Sequence, residues 1–358
     1  MNTGKMNELI NIEEHIAYKD FKISDAASKL ENLKLNPVLF LVNENKEFVG
    51  SITDGDIRRA LIKGVKIDSS ISEIVQGNPI FIKKDEINVN KIKEWRNSNF
   101  KVIPILDKKN RIVDLLNFRL EKNYLPIDCI IMAGGKGERL RPLTESIPKP
   151  LLPIDGKPII EYIIDHFRSF GVSDFLITTN YLASKINEFT EIKKSNSLKI
   201  TCFKEPEYMG TIGAISLIKK INNGVVLISN SDLITNLNLE DFYLAFQESN
   251  SDCSILSISH KIEIPYGVMK LKSNELISIT EKPTYSYETN GGIYLVKTSL
   301  LNLIPKNKPF TAIEFLEKLI EHKKKITTYN HVGYWKDIGN HTDYNQAKID
   351  LKFITRNE

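Results

Sequence analysis

Ile130-Ile131-Met132-Ala133-Gly134-Gly135-Lys136-Gly137-Glu138-Arg139-Leu140-Arg141-Pro142-Leu143-Thr144 is the stretch whose reading decides the fold. An apolar run of strand length, Cys129 to Ala133, empties into a loop with three glycines and three basic residues. Glycine has no Cβ, so its backbone N–H can approach a phosphate oxygen, and the basic side chains can neutralise the charge. A plain turn is the competing reading. Two familiar phosphate loops are excluded: a dinucleotide fold needs its third glycine where Leu140 stands, and a P-loop needs Gly-Lys-Ser/Thr. Pro148-Lys149-Pro150-Leu151-Leu152-Pro153 follows, then Gly156-Lys157-Pro158-Ile159. Prolines on both sides of Lys149 stiffen the backbone that carries it.

Outward from this loop, helical and strand patterns alternate. Ile159–Phe170 reads as helix, Phe175–Thr179 as strand, Ile212–Ile221 as helix and Val225–Ser229 as strand, which predicts an α/β sandwich on a mostly parallel sheet. Cys253–Ser259, Val268–Leu271 and Gly292–Val296 read as further strands of a mixed sheet. Gly210-Thr211-Ile212-Gly213-Ala214 places small residues where a helix would begin, either for a ligand or for tight packing. Asp232 lies just past the end of a buried strand, where α/β sheets bind ligands; capping a turn is the alternative.

The first third is built differently. A helical pattern from Ser24 to Leu35, an apolar run Val38–Val42, a polar turn and Phe48–Ile52 are echoed by Val89–Asn97, Val102–Leu106, Asp107–Asn110 and Ile112-Val113. Leu41-Val42-Asn43 and Ile105-Leu106-Asp107 match at an offset of 64 residues. Residues 1–122 therefore read as an internal duplication of helix-strand-strand-helix units, 123–126 as a joint and 127–358 as the second domain.

The 358 residues are 41% hydrophobic and 26% charged, with a formal net charge of only +4. No polybasic arm is present, so neither nucleic acid nor a membrane surface is an expected partner. The start lacks a signal-peptide pattern and no apolar run approaches bilayer length, so the default location is cytoplasmic. Cys129, Cys202 and Cys253 are far apart in apolar segments and read as buried reduced thiols.

Gly134-Gly135-Lys136-Gly137-Glu138-Arg139-Leu140 with Pro148-Lys149-Pro150 closely resembles the signature of sugar-phosphate nucleotidyltransferases, and the resemblance runs from Ile127 to Ala347. It implies a Rossmann-like (GT-A-like) mixed-sheet sandwich with Mg²⁺ in its crevice. Carried onto this sequence, it implies catalytic Arg139 and Lys149 and nucleotide contacts from Gly134, Gly135, Lys136, Gly137, Gly210 and Thr211. The metal would sit on Asp232 and Asp337. Sugar-phosphate contacts would come from Gly267, Glu281, Lys282, Asn290 and Gly292. The chain departs from the pattern at Tyr208, where proline is common, at Ile212 for alanine and at Ser231 for glycine. By residue type alone, Glu281 and Lys282 would be a solvated pair.

Gly50-Ser51-Ile52-Thr53-Asp54-Gly55-Asp56-Ile57-Arg58-Arg59 resembles the end of the first repeat of a cystathionine-β-synthase-type (CBS) pair, an α+β module that commonly binds adenine nucleotides. Thr53 and Asp56 match the positions that touch phosphate and ribose; Asp56 as a helix cap is the alternative. The offset lands on Asn117 and Leu120 in the second repeat, so one nucleotide site is expected rather than two, or a pair that only mediates dimer contacts. CBS pair first and transferase second resembles bacterial guanylyltransferases of surface-sugar pathways, one group of which makes GDP-glucosamine for legionaminic acid. The resemblance implies GTP and glucosamine 1-phosphate as substrates, with mannose 1-phosphate or another pair as the alternative, and a homo-oligomer. A non-catalytic CBS nucleotide sensor is the reading from a different class; the presence of Arg139, Lys149, Asp232 and Asp337 weighs against it.

Overall fold

The computed structural model describes residues 11–33, 36–75, 78–195 and 198–354. They form two compact units: Met1–Leu125 with Ser169–Gly171, and Pro126–Arg168 with Val172–Glu358.

In the first unit, α1 (Ile12–His15), β1 (Ile16–Tyr18), α2 (Ile23–Asn32), β2 (Val38–Val42), β3 (Phe48–Thr53) and α3 (Asp54–Ile62) precede β4 (Ile82–Lys83), α4 (Val89–Asn97), β5 (Val102–Leu106) and β6 (Ile112–Asn117). β1 runs parallel to β2 and β2 antiparallel to β3; β4, β5 and β6 repeat that order. Both hairpins carry a register irregularity at the same place, Leu41/Val42 and Ile105/Leu106. Phe40, Val42, Val102 and Leu115 share one core, so the two repeats bury each other's apolar faces. The repeats are not equal, however. No helix follows β6, where the chain makes only turns, so the expected helix-strand-strand-helix form holds for the first repeat alone. The predicted helix 24–35 is α2, Ile23–Asn32; its residues 34–35 fall outside the described range.

The second unit opens with β7 (Ile127–Ala133), followed by α5 (Leu143–Ser146), β8 (Pro153–Ile154), β9 (Lys157–Pro158), α6 (Ile159–Arg168), β10 (Asp174–Thr179), α7 (Ala183–Lys193), β11 (Lys199–Lys204), β12 (Val225–Asn230), β13 (Leu233–Thr235) and α8 (Leu239–Glu248). Then come β14 (Cys253–Glu263), β15 (Val268–Lys272), β16 (Glu275–Thr280), β17 (Thr284–Lys297), α9 (Ala312–Glu321), β18 (Ile326–Asn330), β19 (Trp335–Asp337) and α10 (His341–Ile354). The main sheet has the order β11-β10-β7-β12-β17-β14-β18. β7, β10, β11 and β12 are parallel; β17 is antiparallel to both its neighbours.

β7 is buried at every position but Met132 and lies inside the sheet between β10 and β12, as its nearly continuous apolar run requires. Its one charge, Asp128, is 1% exposed and accepts from the backbone N–H groups of Asn222 and Asn223 and from the Asn223 amide. α6 buries Ile159, Ile160, Ile163, Ile164 and Phe167 at helical spacing, each contributing about 1.5–3 kcal/mol. The expected helix Ile212–Ile221 is instead a short 3₁₀ segment, Gly213–Leu217. A Cβ on Gly213 would lie 2.8 Å from the Lys308 carbonyl, so its backbone is committed to that approach rather than to a continuous α-helix.

Candidate active site

A cavity of about 590 Å³ lies at the carboxyl ends of β7 and β12, the place where an open α/β sheet receives ligands. Its walls are the loop Gly134–Arg139, Lys149-Pro150, Tyr208, Gly210-Thr211, Asn230 to Asp232, and Gly339.

The glycine loop is shaped by close approaches. A Cβ on Gly134 would lie 2.3 Å from Glu205 Oε1. Gly137 is left-handed at φ 64°, and a Cβ there would sit 3.0 Å from the side chains of both Lys149 and Thr144. Thr144 also donates its hydroxyl to the Gly137 carbonyl at 2.8 Å. A second core, with Leu140, Leu152, Ile154, Ile159, Ile234 and Ile338, ties the loop, the Pro-Lys-Pro turn and the β13–β19 ladder together. That ladder pairs Leu233 with Asp337, and the Ile338 N–H donates to the Asp232 carbonyl at 3.0 Å. Two carboxylates more than a hundred residues apart in sequence thereby meet at one wall.

Lys149 Nζ forms an ion pair with Asp232 Oδ2 and lies 4.0 Å from Asp337 Oδ1. Burial, and then the neighbouring Asp232 carboxylate, push Asp337 up to about 6, with Lys149 and Arg139 pulling the other way. Asp232 Oδ1 and Asp337 Oδ1 are shut off from solvent with no hydrogen-bond partner. Buried carboxylate oxygens of this kind are costly unless a cation takes them. Among the described residues no cluster of three or more His, Cys, Asp or Glu side chains converges. A hard cation that keeps phosphate oxygens and water needs only the two carboxylates. Arg139 packs over Gly339, where a Cβ would be 3.4 Å from its guanidinium.

Of the residues expected at the site, Gly134, Gly135, Lys136, Gly137, Arg139, Lys149, Gly210, Thr211 and Asp232 line this cavity. Asp337 joins them through Lys149. Gly210 is left-handed at φ 77°, with its Cα against the Phe310 backbone, so packing and cavity lining are both satisfied there. Asn290 is not among the lining residues; it donates to the Tyr294 hydroxyl at 2.7 Å and accepts from the Gly292 N–H at 3.0 Å. A Cβ on Gly292 would lie 2.5 Å from the Asn230 amide. Gly267, Glu281 and Lys282 are outside the cavity lining, on an exposed β-ribbon.

Glu205 escaped the sequence reading. It is 3% exposed and accepts from the Met209 N–H at 3.0 Å and from the Asn180 amide. Burial pushes its carboxyl up, against both hydrogen bonds. Its signal was available: it directly follows β11, as Asp232 closely follows β12. In the first unit, Asp56 acts as a helix cap. Its Oδ2 accepts from the Thr53 N–H at 2.9 Å and the Thr53 hydroxyl at 2.7 Å, and its Oδ1 pairs with Arg59 at 2.7 Å. The buried thiols are as expected for Cys129 and Cys253; Cys202 is half-buried. Among the described residues no helix is long and apolar enough to cross a membrane.

A glycine loop, a lysine and two carboxylates at the carboxyl edge of a parallel-rich sheet define a nucleotide-handling α/β protein. The nucleotidyl transferase family model matches residues 128–352, well over half of the chain, and the chain belongs to that family. A CBS domain model matches residues 9–63. The mannose-1-phosphate guanyltransferase of Pichia angusta is 30% identical over 226 residues, 60% of this chain and 61% of that protein. The bifunctional protein GlmU of Methanococcus maripaludis is 32% identical over 227 residues, 61% of this chain and 52% of that protein. The chain thus matches less than two thirds of the length of these curated relatives. The crystal structure of HddC from Yersinia pseudotuberculosis complexed with GMP-PN aligns with a TM-score of 0.51 and 25% identity, over 63% of this chain and 99% of that one.

Proposed function

We propose that the second unit joins a nucleoside triphosphate to a sugar 1-phosphate, releasing pyrophosphate. The observation that carries this reading is Lys149 held between Asp232 and Asp337 on the wall facing the glycine loop. An oxygen of the sugar phosphate attacks the α-phosphorus; a new P–O bond forms as the bond from the α-phosphorus to the bridging oxygen breaks, and pyrophosphate carries away the electron pair. The chain supplies position and charge rather than a covalent intermediate. Backbone N–H groups of Gly134 to Gly137 hold the triphosphate, and Arg139 neutralises the departing pyrophosphate. Lys149 draws the attacking phosphate to the α-phosphate against their mutual repulsion. Asp232 and Asp337 would hold a divalent cation, Mg²⁺ by the hardness of the oxygen donors, and when bound it supplies polarisation of the α-phosphate.

GTP is the preferred nucleotide in this reading, supported by the guanyltransferase relatives and the guanine nucleotide on HddC. Glucosamine 1-phosphate for a surface-sugar pathway of the legionaminic acid type and mannose 1-phosphate are the two sugars to separate; the relatives support mannose 1-phosphate equally. The first unit is proposed as regulatory or dimerising, with an adenine nucleotide at Thr53 and Asp56. There the ligand must displace the Thr53 and Arg59 contacts that Asp56 now makes. Pyrophosphate release measured for five triphosphates against four sugar 1-phosphates tests the whole reading. Release with a single guanosine pair supports it, and release with another base corrects the nucleotide.

A further inference from the structure

Tyr208 lines the cavity, yet it is 58% exposed. It is the only aromatic residue among the described residues that line it; the rest are mostly glycines, charged side chains and short polar ones. Its side chain makes no hydrogen bond, ion pair or ring contact with the described residues. The backbone around it, by contrast, is fixed on both sides. The N–H of Glu205, a residue only 3% exposed, donates to the Thr179 carbonyl at 2.8 Å, and Pro206 has its φ locked by its ring. Met209 is 3% exposed; its N–H donates to Glu205 Oε2 and its carbonyl accepts from the Phe310 N–H, both at 3.0 Å. Gly210 is so close to Phe310 that a Cβ would lie 2.6 Å from that carbonyl. The fold therefore holds an aromatic ring in water at this place, where burial would be favourable.

The cavity has two unlike ends. Glu205 follows β11 and Asp232 follows β12, and those strands lie on opposite sides of β7 in the order β11-β10-β7-β12. The glycine loop leaves β7 between them. Gly134, at its start, approaches Glu205; Gly137, further on, approaches Lys149. Lys149 and Asp232 make one end charged, and the Glu205–Met209 bond ties Tyr208 to the other. A nucleoside triphosphate is two-ended in the same way, with its charge on the phosphates and a flat base at the far end.

We infer that the Tyr208 ring stacks on the base of the nucleoside triphosphate and supplies affinity for that end of the substrate. The inference rests on the proposed function in taking the ligand to be a nucleoside triphosphate; it does not rest on the transfer step. Every base has a π face, so stacking holds the base without choosing among bases. Position 208 is one of the three at which the chain departs from the nucleotidyltransferase pattern, so the ring belongs to this chain and not to the family.

Calorimetry on the full-length chain with Mg²⁺ tests this, using whichever triphosphate the wild type binds tightest. Tyr208→Ala should weaken binding at least about fivefold, and Tyr208→Phe, which keeps the ring, should bind like the wild type. Inorganic tripolyphosphate, which has the charge and no base, should bind the wild type and Tyr208→Ala alike. Equal nucleotide affinity in the wild type and Tyr208→Ala overturns the inference. So does a Tyr208→Phe protein as weak as the alanine variant, which assigns the effect to the hydroxyl. A matching loss for tripolyphosphate also overturns it, because the glycine loop has then moved. In turnover, Tyr208→Ala should raise KM for the triphosphate and not for the sugar 1-phosphate; the reverse seats the sugar on the ring and overturns the inference. A wild type that binds a triphosphate but releases no pyrophosphate would sink the proposed transfer, and the binding comparison would still decide Tyr208. A wild type that binds no triphosphate would overturn both.

Discussion

The ammonium of Lys149 is ion-paired with the carboxylate of Asp232 across 83 residues of sequence. Lys149 also holds a second carboxylate, Asp337, at 4.0 Å. It therefore offsets the repulsion between two acids while facing the cavity. In the proposed reaction, replacing it with alanine removes the cation that would meet both phosphates, and turnover should fall by about 100-fold or more. Steady-state pyrophosphate release alongside thermal unfolding checks this. Near-normal turnover in folded Lys149→Ala protein would remove the residue from the mechanism.

Asp232→Asn and Asp337→Asn each take one negative charge from the pair whose Oδ1 atoms lack partners. Divalent-cation affinity, followed with Mn²⁺ by calorimetry in the absence of substrate, should drop at least about tenfold in either variant. Unchanged binding in both would place the cation elsewhere.

Gly134→Ala puts a Cβ at 2.3 Å from Glu205 Oε1. That carboxylate cannot swing aside without losing the Met209 N–H, so the loop must move. The expected cost is about 1–3 kcal/mol of stability with weaker nucleotide binding. Gly135→Ala, with nothing within 4 Å of its added Cβ, should leave stability unchanged. Denaturant titration of the two variants side by side separates them.

Much of the site was legible because its residues come in uniform local patterns. β7 is an unbroken apolar run and α6 repeats isoleucine at helical spacing, so strand, helix and the glycine loop between them follow from periodicity. The convergence of Asp232 with Asp337 does not. It arises from the β13–β19 ladder, two three-residue strands too short to announce themselves. The segment after Gly210 misled because its glycines serve approaches to Lys308 and Phe310, which no local pattern encodes. Glu205 carried one signal, its place directly after β11, but its tight approach to Gly134 is made across the sheet and is not written in the residues around it. The exposed alternation of Met269, Ile277 and Ile279 reads in sequence like any half-buried ribbon; only the fold shows that nothing in the described chain covers it.

His15 gives a pH dependence to the first unit. It is 3% exposed, its Nδ1 lies 2.8 Å from the Val38 carbonyl, and burial pushes its imidazole below the usual value of 6.5. The unfolded chain therefore binds the proton first as pH falls. The stability contributed by neutral His15 is complete above about pH 6.5 and is lost as pH drops from there through the lowered folded value. Thermal unfolding from pH 8 to pH 5 should show a steeper loss in the wild type than in His15→Gln; parallel curves would contradict it.

The most direct test of the central claim is pyrophosphate release by the full-length protein with Mg²⁺, each triphosphate and each sugar 1-phosphate. The account predicts release that needs both substrates and the cation, strongest with GTP and either glucosamine 1-phosphate or mannose 1-phosphate. Folded protein that releases no pyrophosphate with any pair would contradict it.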